Sequence, residues 1–282
     1  MSSSFTRPFL KWPGGKFRLL GTLTSQLPDC AYLVEPFVGA GALFLNTTHQ
    51  KVIVNDINPD LINLYKQIQN TGLRFIRDAK KLFTQSQNKS IVYYRNREKF
   101  NLTSDEWERA LLFLYLNRHG YNGLCRYNLK GLYNVPFGAY VTPYFPQDEL
   151  EFFYNRSQNV VFHCKDYAAL FKQLSNHSKI NQMVIYCDPP YAPLSKTANF
   201  TGYAAHRFTL DDQKKLAVHA KALAQKGAIV LISNHDTPFT REIYQEATLE
   251  KLTVSRTISC KGMARQKVKE VIAIFAADRL SD

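Results

Sequence analysis

Short apolar runs alternate with stretches of helical spacing along most of the chain. The apolar runs lie at Tyr32–Glu35, 51–56, 159–164, Met183–Cys187 and 228–233. They show little polar alternation, which is typical of strands buried on both faces of a parallel sheet. Stretches with the spacing of amphipathic helices follow the later runs, at 168–174 and 210–225. This pattern predicts an α/β protein.

The first part of the pattern has the order of a nucleotide-binding fold. A turn at 36–41 contains two glycines and is followed by a helix from Ala42, and the next strand ends in Asp56. The order strand, glycine turn, helix, strand, acid is that of the first half of a doubly wound, Rossmann-like fold. Near the end of the chain, the β-prone stretches 251–259 and 268–276 predict a closing antiparallel hairpin.

A different pattern interrupts the α/β alternation after the second strand. Apolar residues recur at helical spacing from Pro59 onward, and 106–117 is predicted to be another, mostly buried helix. The next segment, 118–144, is rich in Gly, Asn, Tyr and Arg, and an irregular stretch of this length in a compact domain is usually functional. We therefore predict a catalytic domain formed by 1–56 plus 145–282, and a mostly helical domain inserted at 57–144.

The distribution of charge indicates a polyanionic partner. The chain has a net charge of +13 and a pI of about 9.5. Residues 57–144 carry a net charge of +7, and residues 251–269 carry +6. Two basic regions beside a nearly neutral remainder are typical of a protein that binds nucleic acid, although a basic, merely soluble surface is the alternative.

Composition narrows the other possibilities. The five cysteines are scattered and include no CxxC pair, so we expect reduced thiols rather than a disulfide framework or a zinc site. The seven histidines do not cluster at ligand spacing, and no metal site is predicted. There is no apolar run of transmembrane length and no N-terminal signal pattern. We expect a cytoplasmic protein without membrane association, and no obligate protein partner is evident.

The glycine turn and the acid after it predict a nucleoside-containing cofactor. Gly39 and Gly41 let the backbone pass close to a ligand, and Asp56, seventeen residues after Gly39, is placed to hold ribose hydroxyls. The cofactor could be NAD or S-adenosylmethionine. The NAD fingerprint has three glycines, whereas this turn has two, which favours S-adenosylmethionine. A tight turn that binds nothing is the structural alternative.

The sequence Asp188-Pro189-Pro190-Tyr191 follows a predicted buried strand, at the place where ligands bind in open α/β sheets. An exocyclic amine of a base is a poor nucleophile because its lone pair is delocalised into the ring. Asp188 and the Pro189 carbonyl can each accept one N–H, which moves the lone pair out of the ring plane, and Tyr191 can stack on the base. A rigid strand-ending turn with a surface carboxylate is the alternative.

Three further residues are candidates for contact with the cofactor. Trp12 could pack on the methionine arm, and Lys16 could meet the carboxylate or a phosphate. Asp166, which follows a predicted strand, could hold the adenine ring. Core packing is the alternative for Trp12. Methylation of cytosine carbon-5 is disfavoured, because its cysteine nucleophile is usually in a Pro-Cys pair, which this chain lacks.

These motifs stand in one order along the chain: Phe9-Leu10-Lys11-Trp12-Pro13-Gly14-Gly15-Lys16, Glu35-Pro36-Phe37-Val38-Gly39-Ala40-Gly41, Asp56, the basic insert, Asp188-Pro189-Pro190-Tyr191, and Ser233-Asn234-His235-Asp236-Thr237. The combination resembles the Dam-type DNA adenine-N6 methyltransferases over most of the chain. The resemblance implies a Rossmann-like methyltransferase fold with an inserted target-recognition domain. It also implies methyl transfer from S-adenosylmethionine to N6 of adenine in duplex GATC, by base flipping and direct in-line transfer.

The resemblance assigns roles to individual residues. The residues lining the S-adenosylmethionine site would be Trp12, Lys16, Phe37, Asp56 and Asp188. Those contacting double-stranded DNA would be Lys11, Arg97, Tyr121, Asn122, Leu124, Arg126, Asn128, Asn134, Pro136 and Tyr140.

Within the DNA-contacting set, the resemblance distinguishes base contacts from phosphate contacts. Lys11 and Arg126 would each contact a guanine, and Leu124 would touch a thymine methyl group. Tyr121 would intercalate where the adenine leaves the duplex, with Asn122 beside it. Phosphate contacts would come from Arg97, Asn128 and Asn134, and contacts near the bases from Pro136 and Tyr140. An arginine bound to guanine and an aromatic ring filling the place of a flipped base are physically reasonable roles.

Two other functions stay open at this point. Acidic-Pro-Pro-Tyr motifs occur among enzymes that methylate amino groups, so the substrate could be an RNA adenine or a protein amide. The long Gly/Asn/Arg-rich insert favours duplex DNA. A catalytically silent DNA-binding regulator is the third interpretation, and the intact Asp56 and Asp188 argue against it.

Overall fold

A computed structural model describes residues 5–193, 208–255 and 267–277. Its strands are β1 (Tyr32–Glu35), β2 (Lys51–Asn55), β3 (Val160–His163), β4 (Met183–Cys187), β5 (Ile229–His235), β6 (Thr248–Ser255) and β7 (Lys267–Phe275). Its α-helices are α1 (Leu20–Gln26), α2 (Ala42–Leu45), α3 (Pro59–Thr71), α4 (Leu73–Lys80), α5 (Ser90–Leu102), α6 (Glu106–His119), α7 (Gln147–Ser157), α8 (Tyr167–Leu174), α9 (Leu210–Ala224) and α10 (Pro238–Ile243).

The strands form one mixed sheet in the order β3-β2-β1-β4-β5-β7-β6. β4 is parallel to both β1 and β5, and β2 is parallel to β3. β7 is antiparallel to both β5 and β6. The predicted Rossmann-like fold and its closing antiparallel hairpin are therefore confirmed. The predicted turn of that hairpin, between β6 and β7, falls mainly outside the described residues.

The central strand of the sheet is apolar throughout. All five residues of β4, from Met183 to Cys187, are buried. Such a strand has neighbours on both edges and helices on both faces, which is why it lacks the polar alternation of a half-exposed strand. β5 runs two residues beyond its predicted end, because Asn234 and His235 still pair with β7.

The insert is mostly helical, as predicted. It contains α3 to α6, and α6 runs two residues beyond its predicted end at Asn117. The irregular segment after α6 is held by isolated bridges between Gly120 and Phe137 and between Tyr127 and Tyr133. No helix among the described residues is long and apolar enough to cross a membrane.

The described residues divide into two compact units, each considered by itself below. The first unit comprises 5–29 and 38–165, and the second comprises 30–37, 166–193, 208–255 and 267–277. The first unit therefore contains the glycine turn and the insert, and the second contains the residues that follow β4.

A buried carboxylate ties the insert together inside the first unit. Asp60, in the first turn of α3, accepts hydrogen bonds from the Arg109 guanidinium and, at 2.6 Å, from the Tyr127 hydroxyl. Arg109 also donates to the carbonyl of Phe100 at the end of α5. Since a buried charge is tolerated only with partners, this arrangement fixes α3, α5, α6 and the segment around Tyr127 as one body.

Candidate active site

In the second unit, the carboxyl ends of β1, β4 and β5 lie at one edge of the sheet, because the three strands are parallel. Asp188-Pro189-Pro190-Tyr191 follows β4 directly at this edge, and Phe37 lies two residues beyond the end of β1. Proline has no N–H and cannot continue a ladder, so the chain leaves the sheet after Cys187. Asp188 and Tyr191 are half-buried and Pro189 is buried.

Contacts from β5 and β7 hold the side chain of Tyr191. Its hydroxyl donates to Glu270 Oε2 at 3.0 Å, and its ring meets His235 edge-on, with the centroids 4.8 Å apart. Burial, followed by the nearby Asp188 carboxylate, raises the pKa of the Tyr191 hydroxyl. The phenol is therefore a neutral donor with a fixed ring, which suits stacking rather than acid–base chemistry.

An aromatic wall stands next to Asp166 in the same unit. The ring of Phe37 lies 5.4 Å from that of Tyr167 and 5.6 Å from that of Phe208. The exposed Asp166 caps α8, accepting from the N–H of Ala168 at 2.8 Å. Flat apolar surface beside a carboxylate suits an adenine ring. Tyr167 and Phe208 were missed by the sequence analysis, although an aromatic directly after Asp166 was a usable signal.

The first unit builds the glycine turn around Asp56. The carboxylate of Asp56 accepts hydrogen bonds from the N–H of Gly39 at 3.1 Å and from the N–H of Asn58 at 3.0 Å. The carbonyl of Gly39 accepts from the hydroxyl of Tyr65 at 2.6 Å. Crowding by protein atoms raises the pKa of Asp56, and the N–H groups of Asn58, Gly39 and Ile57 act in the opposite direction. The turn and the acid are thus one hydrogen-bonded structure.

Trp12 lies against this turn. Gly39 has a φ of +47°, and a Cβ built on it would be 2.9 Å from Trp12 Nε1. Lys16, also in this unit, is buried and donates from Nζ to the carbonyl of Gly14 at 3.2 Å. The left-handed glycine, the carboxylate and the indole fit a nucleoside cofactor, because they leave backbone and a polar acceptor facing one small region.

Among the residues that the structure describes, no group of three or more His, Cys, Asp or Glu side chains could hold a metal ion. Cys187, at the end of β4, is fully buried, and burial raises the pKa of its thiol well above the usual value. A thiol in this state is a poor nucleophile, so Cys187 acts as a small apolar residue.

The first unit also brings Lys11 together with part of the loop after α6. The buried Asn117 accepts from the N–H of Lys11 at 3.0 Å and donates to its carbonyl at 2.7 Å. The Lys11 ammonium lies 4.0 Å from the centre of the Tyr140 ring, and the Tyr140 hydroxyl accepts from the N–H of Asn122 at 2.9 Å. A Cβ on Gly123 would be 2.1 Å from that of Lys11, so this loop approaches Lys11 closely.

The base-contacting candidates of this loop are accessible at its surface. Tyr121 is 43% exposed, Asn122 next to it has a φ of +53°, and Leu124 is half-buried. Tyr121 also donates its N–H to the carbonyl of Pro136 at 2.9 Å. An exposed aromatic on a tethered backbone can enter a duplex without unfolding the loop.

The hairpin carrying Arg126 uses several predicted residues internally. The exposed Arg126 guanidinium donates to Asn134 Oδ1 at 2.8 Å and to the carbonyl of Asn134 at 3.1 Å. Asn128 Oδ1 accepts from the N–H groups of Lys130 and Leu132, which closes the turn. Arg97 donates to the carbonyl of Val135 at 3.0 Å. Arg97, Asn128 and Asn134 thus support the hairpin in addition to any contact they make with DNA.

The sequence analysis missed the residues that hold these loops. Asn117 and Asp60 are buried polar residues on helices whose other inward positions are apolar. A polar residue in a buried stripe was a usable signal, because such a residue needs a partner. Which partner it has depends on contacts between distant parts of the chain.

Comparison with known proteins points to one family. Residues 12–258 match the family described as D12 class N6 adenine-specific DNA methyltransferase. A protein named DNA adenine methylase from Escherichia coli K12 is 51% identical over 269 residues, which are 95% of each chain. Proteins of the same name from Vibrio cholerae O1 (strain ATCC 39541) and Haemophilus influenzae Rd are each 50% identical. The Vibrio match covers 95% of this chain and 96% of the relative, and the Haemophilus match covers 96% and 94%.

Among solved structures, the rRNA methyltransferase aviRa from Streptomyces viridochromogenes is similar with a TM-score of 0.41 and 14% identity. That similarity covers 99% of this chain and 95% of that one.

Contact between Gly39 and Trp12 can be separated from backbone strain by two matched variants. Gly39 and Gly14 both have positive φ, so alanine at either position costs about 1–2 kcal/mol in backbone strain. A Cβ on Gly14 meets nothing within 4 Å, whereas a Cβ on Gly39 meets the Trp12 indole. We expect Gly39→Ala to lower the free energy of unfolding more than Gly14→Ala does and to shift the tryptophan emission. Equal losses in urea denaturation, with unchanged emission, would contradict this.

Proposed function

The chain belongs to the D12 class of N6 adenine-specific DNA methyltransferases, and from that premise we propose that it transfers the methyl group of S-adenosylmethionine to adenine N6 in duplex GATC. Membership confirms the predicted family and enzyme class, with DNA as substrate and adenine N6 as the methylated atom. The methyl donor, the target sequence and extrusion of the base are the parts that we propose.

The observation that carries the proposal is the placement of Asp188-Pro189-Pro190-Tyr191 at the end of the buried strand β4. We propose that Asp188 and the Pro189 carbonyl accept the two N–H groups of the adenine amine. Two acceptors in the plane of the base favour a pyramidal nitrogen with an available lone pair. Groups aimed at charge that develops in the transition state typically contribute about a hundredfold or more to the rate.

The transfer we propose is direct. Bound S-adenosylmethionine supplies an electrophilic sulfonium methyl group. The chain positions the nitrogen: Tyr191, whose ring is held by Glu270 and His235, stacks on the adenine, and Asp188 orients the amine. A covalent route through Cys187 is disfavoured, because burial keeps its thiol protonated.

Residues of both units are proposed to bind the cofactor. In the first unit, Asp56 would accept the ribose hydroxyls, Trp12 would pack on the methionine arm, and the buried Lys16 would meet the carboxylate. Backbone of the Gly39 turn would approach the nucleoside. The second unit would contribute the remaining contacts, from Phe37, Asp166 and Asp188. The hydrogen bonds of Asp56 to Gly39 and Asn58 support this, since they fix its carboxylate beside the turn.

We propose residues 57–144 as the target-recognition domain within a catalytic domain formed by 1–56 plus 145–282. Arg126 and Lys11 would each contact a guanine, Leu124 a thymine methyl group, and Tyr121 would replace the extruded adenine. Extrusion is required because N6 chemistry cannot be done inside a stacked duplex. The residues proposed to complete the DNA surface are Arg97, Asn122, Asn128, Asn134, Pro136 and Tyr140.

The second basic region, 251–269, is proposed to contact phosphates. Lys251 and Lys269 are exposed on β6 and β7, while 256–266 lie outside the described residues. Neutralising phosphates releases counterions, which would make DNA binding weaken as salt rises.

The experiment that tests this function is to incubate the protein with labelled S-adenosylmethionine and plasmid DNA and to map the modified positions. Such a map reports base, atom and sequence together. We expect N6-methyladenine at GATC sites only. Methylation confined to another sequence would reject the proposed specificity, and absence of transfer from S-adenosylmethionine would reject the proposed donor.

Asp188→Ala should abolish methyl transfer and leave DNA binding, because it removes an acceptor from the amine but no phosphate contact. Asp211→Ala, which removes an exposed carboxylate from the first turn of α9, is the matched control and should keep full activity. Single-turnover methylation and duplex binding are measured in parallel. Methylation by Asp188→Ala at the wild-type rate would remove Asp188 from its role.

Arg126→Gln should relax discrimination at one guanine of the site. Loss of a bidentate arginine–guanine contact costs about 1–3 kcal/mol of discrimination, or roughly tenfold to a hundredfold. Arg95→Gln removes an exposed arginine from α5 and serves as the control for charge alone. The ratio of kcat/KM for GATC to that for sites substituted at each guanine is measured. If both variants lower the ratio equally, Arg126 does not read the base.

A further inference from the structure

The turn that carries Tyr191 is held on both sides by buried amide side chains. Gln213 of α9 donates from Nε2 to the carbonyl of Pro190 at 2.7 Å. Asn234 of β5 accepts, at Oδ1, from the N–H of Ala192 at 3.0 Å. The residues before and after Tyr191 are therefore each tied to a different element of the second unit.

The two amides are also bonded to each other. Asn234 Nδ2 donates to Gln213 Oε1 at 2.9 Å and to the hydroxyl of Tyr244 at 3.0 Å, and Asn234 Oδ1 also accepts from the N–H of His235 at 2.9 Å. Every hydrogen-bonding site of the Asn234 amide is thus used. Gln213 is 1% exposed and Asn234 is 0% exposed. In a dry environment such a fully satisfied network is rigid.

The turn itself has little means of holding its shape. Neither Pro189 nor Pro190 has an N–H, so the local backbone bonds that close most turns are missing. Apolar residues at 213 and 234 would fill the same volume without burying amide groups. The buried amides therefore do something that packing cannot, which is to fix the positions of one carbonyl and one N–H.

We propose that Gln213 and Asn234 are positioning residues for methyl transfer. Acting through Pro190 and Ala192, they hold the turn so that the Tyr191 ring and the acceptors of Asp188 and Pro189 keep the geometry that the adenine amine requires. The bond of the Tyr191 hydroxyl to Glu270 is the third anchor. This inference rests on the proposed function, and it gives a role to the Ser233-Asn234-His235 motif, which that function leaves unused.

The main variant is Gln213→Met, which keeps length and apolar volume and removes both hydrogen bonds without orphaning a backbone N–H. We expect the single-turnover rate of methyl transfer to fall about tenfold to a hundredfold, the effect of a misplaced reacting group. The affinities for duplex DNA and S-adenosylmethionine and the melting temperature should stay near wild type. Gln225→Met, at the exposed end of the same helix, is the matched control and should keep the wild-type rate.

Asn234→Leu provides the second measurement. It removes the acceptor of the Ala192 N–H, so hydrogen exchange of that amide in the free enzyme should become faster, with no substrate needed. In the double variant with Gln213→Met, the rate loss should be smaller than the product of the single losses, because both residues act on one turn. If Asn234→Leu does not fold, Asn234→Asp is used. It keeps Oδ1 and loses the donor to Gln213, and its methyl-transfer rate should fall in the same way.

The outcomes separate the inference from the function on which it rests. If wild-type enzyme does not methylate GATC, the proposed specificity fails, and the rates are measured on the duplex sites that plasmid mapping identifies. An unchanged transfer rate in Gln213→Met overturns the positioning role. So does unchanged exchange of the Ala192 amide in Asn234→Leu. A rate that falls only in proportion to lost cofactor and DNA binding would show a general structural role and would also overturn the proposal.

Discussion

The inability of two consecutive prolines to continue a sheet determines how the catalytic half of this protein is built. β4 is apolar throughout and pairs with a strand on each side, so its backbone direction and height are fixed up to Cys187. At Pro189 and Pro190 the ladder must stop. Asp188 is therefore the last residue whose position the sheet controls. A carboxylate placed there has the precision of a strand and the accessibility of a loop.

Precision beyond the end of the strand has to come from other parts of the fold. The turn after β4 obtains it from side chains of α9, β5 and β7, and the glycine turn obtains it from Asp56 and Tyr65. In both places a flexible piece of backbone is bonded to a rigid element through a buried or half-buried polar side chain. A methyltransferase needs such support, because a reacting group displaced by about 1 Å can lose about a hundredfold in rate.

The parts of the fold that were predictable from sequence are those set by local chemistry. The apolar runs of β1 and β4 have no polar alternation, and the chain has turn residues where they end, so both bounds were predicted correctly. The motif residues Gly39 and Asp56 were also recognisable, because left-handed backbone and a carboxylate after a strand are properties of single positions. The same local signals were less exact where pairing extends a strand, as at Asn234 and His235 in β5.

Contacts between distant residues were not predictable in this way. Asn117 bonds both backbone groups of Lys11 across 106 residues, and Tyr127 bonds Asp60 across 67. What the sequence shows at each position is only a polar residue where an apolar one would pack more cheaply. A buried polar group requires a partner, and nothing in the local pattern says which part of the chain supplies it.

The same reasoning explains why support residues carry so much of the specificity that the proposed function requires. The residues proposed to read DNA, such as Tyr121 and Arg126, are at least partly exposed, and their own side chains lack the packing to fix them. Their backbone is held instead, by bonds of Tyr121 to Pro136 and by the hairpin around Asn134. An exposed side chain on a fixed backbone loses little entropy on binding and still adapts to its base. The recognition surface can therefore be both rigid enough to discriminate between sites and open enough to admit a duplex.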